Sequence, residues 1–272
     1  MLLVTSWHEI GDRVFVRRYA FYDQNIGVVI GDDGCLVIDT RISHRQAAEI
    51  RAHLRELTPL PVALVVNTHG HSDHAFGNRV FRPAPIVGHE GCVRFLRDTG
   101  EAQRAAVMAN MSEIADEMAE VEIDPPDRTF TDRGSADVSG RKVDLRYLGR
   151  GHTDHDIVVS IPAASVVFAG DLLENGATPF FGDGYPMDWP ATVEALVELI
   201  GDGVVVPGHG DVADRPFAEA QLGALRSMAA LAADVAAGRR TVDEAIERAP
   251  FPADEAREPL ERGLAQIRGE LG

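Results

Sequence analysis

Residues 69–74 read His69-Gly70-His71-Ser72-Asp73-His74, three imidazoles and one carboxylate within six positions. Imidazole nitrogen and carboxylate oxygen are ligands for zinc and similar borderline metals. No regular element points all four groups one way: a strand sends alternate residues to opposite faces, and a helix fans six residues around nearly two turns. A loop at the end of a strand can converge them. Residues 62–68 (Val-Ala-Leu-Val-Val-Asn-Thr) form a short β-branched apolar run that predicts such a strand, buried on both faces. The hexapeptide is therefore expected to be a metal loop at a strand's C-terminal end.

Three more ligand types sit in similar places. His152, in Gly151-His152-Thr153, follows a predicted strand over 142–148. Asp171, in Ala169-Gly170-Asp171, closes one over 165–169, and His209, in Pro207-Gly208-His209, follows one over 204–206. Each stands beside glycine, which lets the backbone turn sharply and approach an ion closely. Strand ends along one sheet edge converge, so these loops can meet.

The elements that carry the loops follow from pattern. Strands are expected over 12–18, 25–31 and 35–39, with a hairpin turn at Gly31-Asp32-Asp33-Gly34. A helix over 43–57 presents Ala47, Ile50, Leu54 and Leu57 on one face, opens on a Ser43/Gln46 capping box and is ended by Pro59 and Pro61. Next come a short strand over 85–88, a helix over 101–120, and a break at Pro125-Pro126. Strands over 128–131, 142–148, 156–161 and 165–169 lead to a helix over 190–200 capped by Asp188 or Trp189. From Pro216 the chain is Ala-rich, with Leu222, Leu225, Met228, Leu231 and Val235 on a helical stripe. Thr241 and Glu244 box a second helix, and a third runs from about Asp254 to Leu271. The reading is mixed α/β: a catalytic domain over 1–215 and a helical extension over 216–272 packed on it. The extension's stripe suits core or a homodimer contact better than a cofactor.

Bulk properties exclude some classes. Against 26 basic residues stand 43 acidic ones, a formal charge of −17, and the one lysine is Lys142. Such a surface repels phosphate backbones, so nucleic acid is not an expected partner. Cys35 and Cys92 lack disulfide-framework and metal-site spacing, and Cys35 reads as a small core residue. Residues 1–9 carry no basic segment or sustained apolar stretch, and no apolar run approaches the roughly 18 residues of a span. The expectation is no signal peptide, no membrane and a cytoplasmic location.

Together, Thr68-His-Gly-His-Ser-Asp-His74, Gly151-His-Thr153, Ala169-Gly-Asp171, Pro207-Gly-His209 and the Leu36-Val-Ile-Asp39 strand end resemble the metallo-β-lactamase-fold hydrolase superfamily, over roughly residues 10–212. The resemblance implies a four-layered αββα sandwich with the site at one rim of two sheets. It implies a first metal held by His69, His71 and His152, a second by Asp73, His74 and His209, and Asp171 bridging them. Two zinc ions are the expected cofactors, with iron or manganese as alternatives. His71 departs from the Glu of the family's flavin-linked diiron branch. Asp171 stands where true zinc β-lactamases have Cys or Ser, and is more similar to the thioesterase, lactonase and general hydrolase branches.

Two divalent ions make a bridging water acidic, since even one zinc brings bound water to a pKa of about 7. The expected function is attack of that hydroxide on the carbonyl of a small ester, thioester, lactone or amide, with the oxyanion on a metal. Asp73 is the candidate catalytic residue, orienting the nucleophile or carrying its second proton. Asp39, Thr153 and His155 are candidates for contact with the ligands rather than the metals. Phe180, Phe181, Tyr185, Met187 and Trp189, on a Gly- and Pro-rich segment 176–189, either wall a substrate pocket, plug the core or clamp a dimer partner. His44 and His53 read as solvated. Alternatives are a mononuclear iron enzyme similar to persulfide dioxygenases, β-lactam hydrolysis as a minor activity, and a non-catalytic binding protein. Acidic charge disfavours a nuclease.

Overall fold

The computed structural model describes residues 6–271. Of the N-terminal stretch read for a signal peptide, residues 1–5 lie outside the described residues. Twelve strands and eight α-helices occur among the described residues. The N-terminal half holds β1 (His8–Gly11), β2 (Val14–Tyr19), β3 (Gln24–Ile30), β4 (Cys35–Ile38), α1 (His44–Leu57), β5 (Val62–Val66), α2 (Ser72–Ala75), β6 (Ile86–His89), α3 (Glu90–Asn110), α4 (Ala115–Ala119) and β7 (Arg128–Phe130). The second half holds β8 (Arg133–Val138), β9 (Arg141–Tyr147), β10 (Ile157–Ile161), β11 (Val166–Glu174), α5 (Trp189–Ile200), β12 (Val204–His209), α6 (Arg215–Ala236), α7 (Val242–Ile246) and α8 (Ala253–Ile267).

Hydrogen bonding orders the strands β1-β2-β3-β4-β5-β6-β7 and β12-β11-β10-β9-β8. The two runs meet in one pairing, His209 with Gln24, so they are two sheets joined at a corner. Alternation explains the layers. Inward-facing Val29, Leu36, Ile38 and Val66 of the first sheet pack against Val143, Leu145, Val159, Phe168 and Val206 of the second. The opposite faces hold the helices: Ala47, Ile50 and Leu54 of α1 cover Val28, Val37 and Val65, while Val193, Leu196 and Val197 of α5 cover Val158, Val167 and Val205. This is the expected αββα sandwich. At Gly27 a Cβ would lie 2.5 Å from the Phe168 ring, so the two sheets close only around glycine there.

The helix expected over 101–120 is corrected. It starts at Glu90, where His89 caps it by accepting the Gly91 N–H at 3.1 Å, and it stops at Asn110 before the short α4. Strand β8 was not anticipated, because its side chains are mostly exposed or half-buried and carry no apolar run. The Ser43/Gln46 box is only half formed. Ser43 Oγ accepts the Gln46 N–H at 3.1 Å, a cap worth about 1 kcal/mol, and its hydroxyl donates to Glu117 of α4 at 2.6 Å, but Gln46 Oε1 accepts no return bond from the Ser43 N–H. Asp188 precedes α5 without capping it, because its carboxylate accepts from Arg150 Nε at 2.7 Å. The Thr241/Glu244 box is complete.

The helical extension has two attachments. Ala218, Leu222 and Leu225 of α6 complete the core beneath α5. Met228, Leu231 and Ala232 of α6, Ala245 of α7 and Leu260 of α8 form a separate cluster that receives Met187. Among the described residues no helix is long and apolar enough to cross a membrane.

Candidate metal centre

Strand β5 ends at Val66, and residues 67–71 then carry the chain across the sheet rim into α2. Gly70 and Ser72 are pinned by Gln103 of α3, whose Nε2 donates to the Gly70 carbonyl at 3.3 Å and whose Oε1 accepts the Ser72 N–H at 3.0 Å. The predicted strand over 165–169 instead continues to Glu174. Gly170, at φ +54°, kinks it where the β11–β12 register shifts, so Asp171 lies within β11 and projects from the kink. A Cβ at Gly208 would stand 1.8 Å from Asp171 Oδ1, so only glycine leaves room for that carboxylate.

The structure brings all seven expected ligands together. His69, His71, His152 and Asp171 can aim one donor atom each at a common point, as can Asp73, His74 and His209, and Asp171 stands close to both groups. His71 Nδ1 lies 3.1 Å from His69 Nε2 and 2.7 Å from His152 Nε2. His74 Nε2 lies 3.3 Å from His209 Nε2, and Asp73 Oδ2 is 3.3 Å from each of them. Asp171 Oδ1 is 3.2 Å from His74 Nε2, and its Oδ2 is 3.3 Å from His209 Nε2 and 3.5 Å from His152 Nε2.

These spacings fit metal ligation. Four donors placed tetrahedrally at the zinc–nitrogen distance of 2.0–2.1 Å stand about 3.3 Å apart. The protons agree. Thr68 Oγ1 donates to Asp39 Oδ2 at 2.8 Å and accepts the His69 Nδ1–H at 3.1 Å. The Nδ1–H of His74 donates to Asp39 Oδ2 at 2.8 Å, that of His209 to the Tyr22 carbonyl at 2.6 Å, and that of His152 to the Phe180 carbonyl at 3.0 Å. His71 is turned the other way, its Nε2–H donating to Asp183 Oδ2 at 2.9 Å. Every ring spends its proton outward and leaves a lone pair facing the centre, as metal-binding histidines do. Asp171 Oδ1 is buried and accepts no hydrogen bond, which an ion would remedy.

Charge is distributed unevenly across the centre. Burial holds the His69 imidazole well below its usual range, and pushes His152 down to about 3. Burial also opposes charge on His74, but Asp171, Asp73 and Asp39 outweigh it and hold His74 well above its usual range. For His209 the carboxylates of Asp171 and Asp73 likewise outweigh burial. Burial disfavours the carboxylates of Asp73 and Asp171, yet the neighbouring imidazoles, His74 foremost, hold both well below the usual range.

The remaining candidates fall into different places. Asp39 accepts from the Thr68 N–H, the Thr68 hydroxyl and His74. His155 is buried beneath the metal loop, its Nε2 accepting the Gly70 N–H at 3.1 Å and its Nδ1–H donating to Asp154 at 2.6 Å. Thr153 shapes the His152 loop through Asp156, whose carboxylate accepts its N–H and hydroxyl at 2.7 Å each. Of Phe180, Phe181, Tyr185, Met187 and Trp189, only Phe180 lines the cavity over the centre. Phe181 and Trp189 are buried with their rings 4.9 Å apart, and the Trp189 indole donates to the Leu172 carbonyl. Met187 packs on the helical extension, and Tyr185 is buried under the Arg150 guanidinium. His53 is half-buried, its Nδ1 3.0 Å from the Tyr19 hydroxyl.

Other residues escaped the sequence reading. Tyr22, at φ +58°, turns its carbonyl to His209. Asp183 backs His71. Glu174 lies beside Asp171 and His209 on the cavity wall, its carboxyl pushed up to about 7 by burial and by the charge of Asp171. None of the three had a usable signal, since residues 171 and 174 of a regular strand point to opposite faces and the register shift between Gly170 and Glu174 is a tertiary outcome.

The chain is 23% identical over 215 residues to a metallo-beta-lactamase type 2 of Bacteroides fragilis, covering 75% of this chain and 78% of the relative. It is 23% identical to a metallo-beta-lactamase type 2 of Bacillus cereus over 67% of this chain, and spans 65% of that relative's length. Among solved structures, a metallo-beta-lactamase from Pontibacter korlensis superposes with a TM-score of 0.67 at 21% identity, over 81% of this chain and 98% of its own. The sec-alkyl sulfatase PisA1, as a double mutant, superposes with a TM-score of 0.77 at 16% identity, over 97% of this chain and half of its own. A family model of the metallo-beta-lactamase superfamily matches residues 20–209, which include every residue of the two ligand groups. The chain belongs to the metallo-beta-lactamase superfamily.

Proposed function

We propose that the protein is a hydrolase working with two divalent ions, zinc before iron or manganese, on the carbonyl of a small ester, thioester, lactone or amide. One observation carries this reading: seven donor atoms converge in two adjacent groups next to Asp171, and every imidazole is proton-paired on its outer side. His69, His71 and His152 would hold one ion, Asp73, His74 and His209 the other, with Asp171 between them. When bound, the pair supplies Lewis acidity and a water acidic enough to act as nucleophile near neutral pH. The chain's own residues fix the frame. Asp39 and Thr68 orient His74 and His69, and Asp73 Oδ2, between His74 and His209, is placed to orient a nucleophile or hold its proton. The second group of donors favours this reading over a mononuclear iron enzyme. A second reading, sulfate-ester hydrolysis, draws on the likeness to the sulfatase, which extends through the C-terminal helices. Its anionic group is the scissile one, so turnover of an alkyl sulfate without turnover of a carboxylester separates the two.

The test is metal removal. Chelated, dialysed protein is expected to lose carboxylester hydrolysis by at least about a hundredfold and to regain it with two equivalents of zinc. Full activity in the chelated protein would refute the reading.

A further inference from the structure

We infer that the cavity over the metal centre selects substrates with an apolar body that is neutral or cationic away from the scissile bond, and discriminates against anions. This rests on the hydrolase reading and adds the substrate's charge to it.

The cavity has a volume of about 510 Å³. Among the described residues lining it there is no lysine or arginine, while the carboxyl groups beyond the metal-ligand set are those of Glu174 and Asp183. The nearby guanidinium groups are engaged elsewhere: Arg104 with Glu101, Arg18 with Asp23 and Asp211, and Arg262 with the Gly184 carbonyl. Two divalent ions would bring four positive charges, and the carboxylates of Asp73, Asp171 and Asp183, with the carboxyl of Glu174, offset most of them. The wall therefore returns no attraction to an anionic group more than a few ångströms from the ions. A carboxylate or sulfate beside Asp183 or Glu174 meets like charge at short range, where the Coulomb energy is largest. The chain's charge of −17 acts in the same sense at longer range.

The rest of the wall is neutral, with Ser72, Gln103 and Thr178 set among apolar side chains. Tyr22 is 42% exposed and Phe180 55% exposed, and they are two of the four large hydrophobic side chains left exposed among the described residues. Both face this cavity, with Ala106 and Val107 of α3 and Ala177 completing the surface. Aromatic faces bury an apolar group well and also attract cations. They give an anion nothing in place of its hydration.

The experiment compares three nitrophenyl esters whose acyl chains, matched in length, end in a methyl, a trimethylammonium or a carboxylate. Zinc-loaded protein is used at low salt, and each rate is divided by that with free hydroxide. The methyl and trimethylammonium esters are expected to exceed the carboxylate ester in kcat/KM by about tenfold or more, with the gap narrowing as salt rises. Ala106→Lys, a cation at the cavity rim, is expected to raise the carboxylate-to-methyl ratio severalfold. A carboxylate ester turned over as fast as the methyl ester, or a ratio indifferent to Ala106→Lys, overturns the charge preference while leaving the hydrolase reading intact. If no ester shows a chelator-sensitive rate, the hydrolase reading falls and the charge preference with it.

Discussion

The two groups of ligands are held by different parts of the molecule. His74 and His209 are fixed from within the core and its edge: Asp39, 2% exposed, receives one proton, and a backbone carbonyl held at positive φ receives the other. His71 and His152 are fixed by the segment between β11 and α5, through the half-exposed Asp183 and the Phe180 carbonyl. That segment leans in turn on α8, where Arg262 donates to the Gly184 carbonyl and Gln266 Oε1 accepts the Met187 N–H at 2.9 Å. One group is thus oriented by the folding of the sandwich, and the other also depends on a helix near the C-terminus. The difference gives the helical extension a task at the centre, reached through backbone atoms rather than through its own ligands.

Substitutions at the outer partners probe that contrast. The largest effect is expected for Asp39→Ala, which strands the Thr68 N–H, the Thr68 hydroxyl and the His74 Nδ1–H in the core, at about 3–5 kcal/mol together. The midpoint of denaturant unfolding should fall accordingly, and Asp39→Asn, which keeps an acceptor and tolerates φ +64°, should recover part of the loss. A loss below about 1 kcal/mol would mean that the core does not hold this group. Asp183→Ala is expected to leave stability within about 0.5 kcal/mol but to weaken one of two zinc ions by about 10- to 100-fold. Competition against a chromophoric chelator measures both ions, and equal weakening of the two would erase the contrast. Arg262→Ala is expected to weaken that same ion by less than about tenfold, with Arg262→Lys closer to the parent. No change at either ion would remove the C-terminal helices from the site.

The ligand residues were legible because their signal is local: residue type, neighbouring glycine and the apolar strand before each. The pattern of strands and helices was legible only as mixed α/β, and the sandwich followed from the resemblance that the ligand motifs carry. Strand β8 was not, since a half-exposed strand alternates without an apolar run. The start of α3 was hidden because Gly91 and Gly100 lower helix propensity, while the His89 cap that fixes it is a tertiary outcome as much as a local one. The aromatic segment misled in part. Phe180, Phe181 and Trp189 are alike in type, and nothing in their spacing says that one faces the cavity and two face the core.

By itself the sequence determined which donors exist and that strand ends would carry them, because ligand chemistry and turn chemistry belong to single residues and their neighbours. The tertiary structure alone decided which nitrogen of each ring faces the centre, that Asp183 and the Phe180 carbonyl stand behind two of the rings, and that no lysine or arginine among the described residues lines the cavity. Those features depend on side-chain direction and on contacts between segments far apart in the chain, such as His71 with Asp183 and Met187 with Gln266. Packing fixes such contacts, and packing is a property of the whole fold.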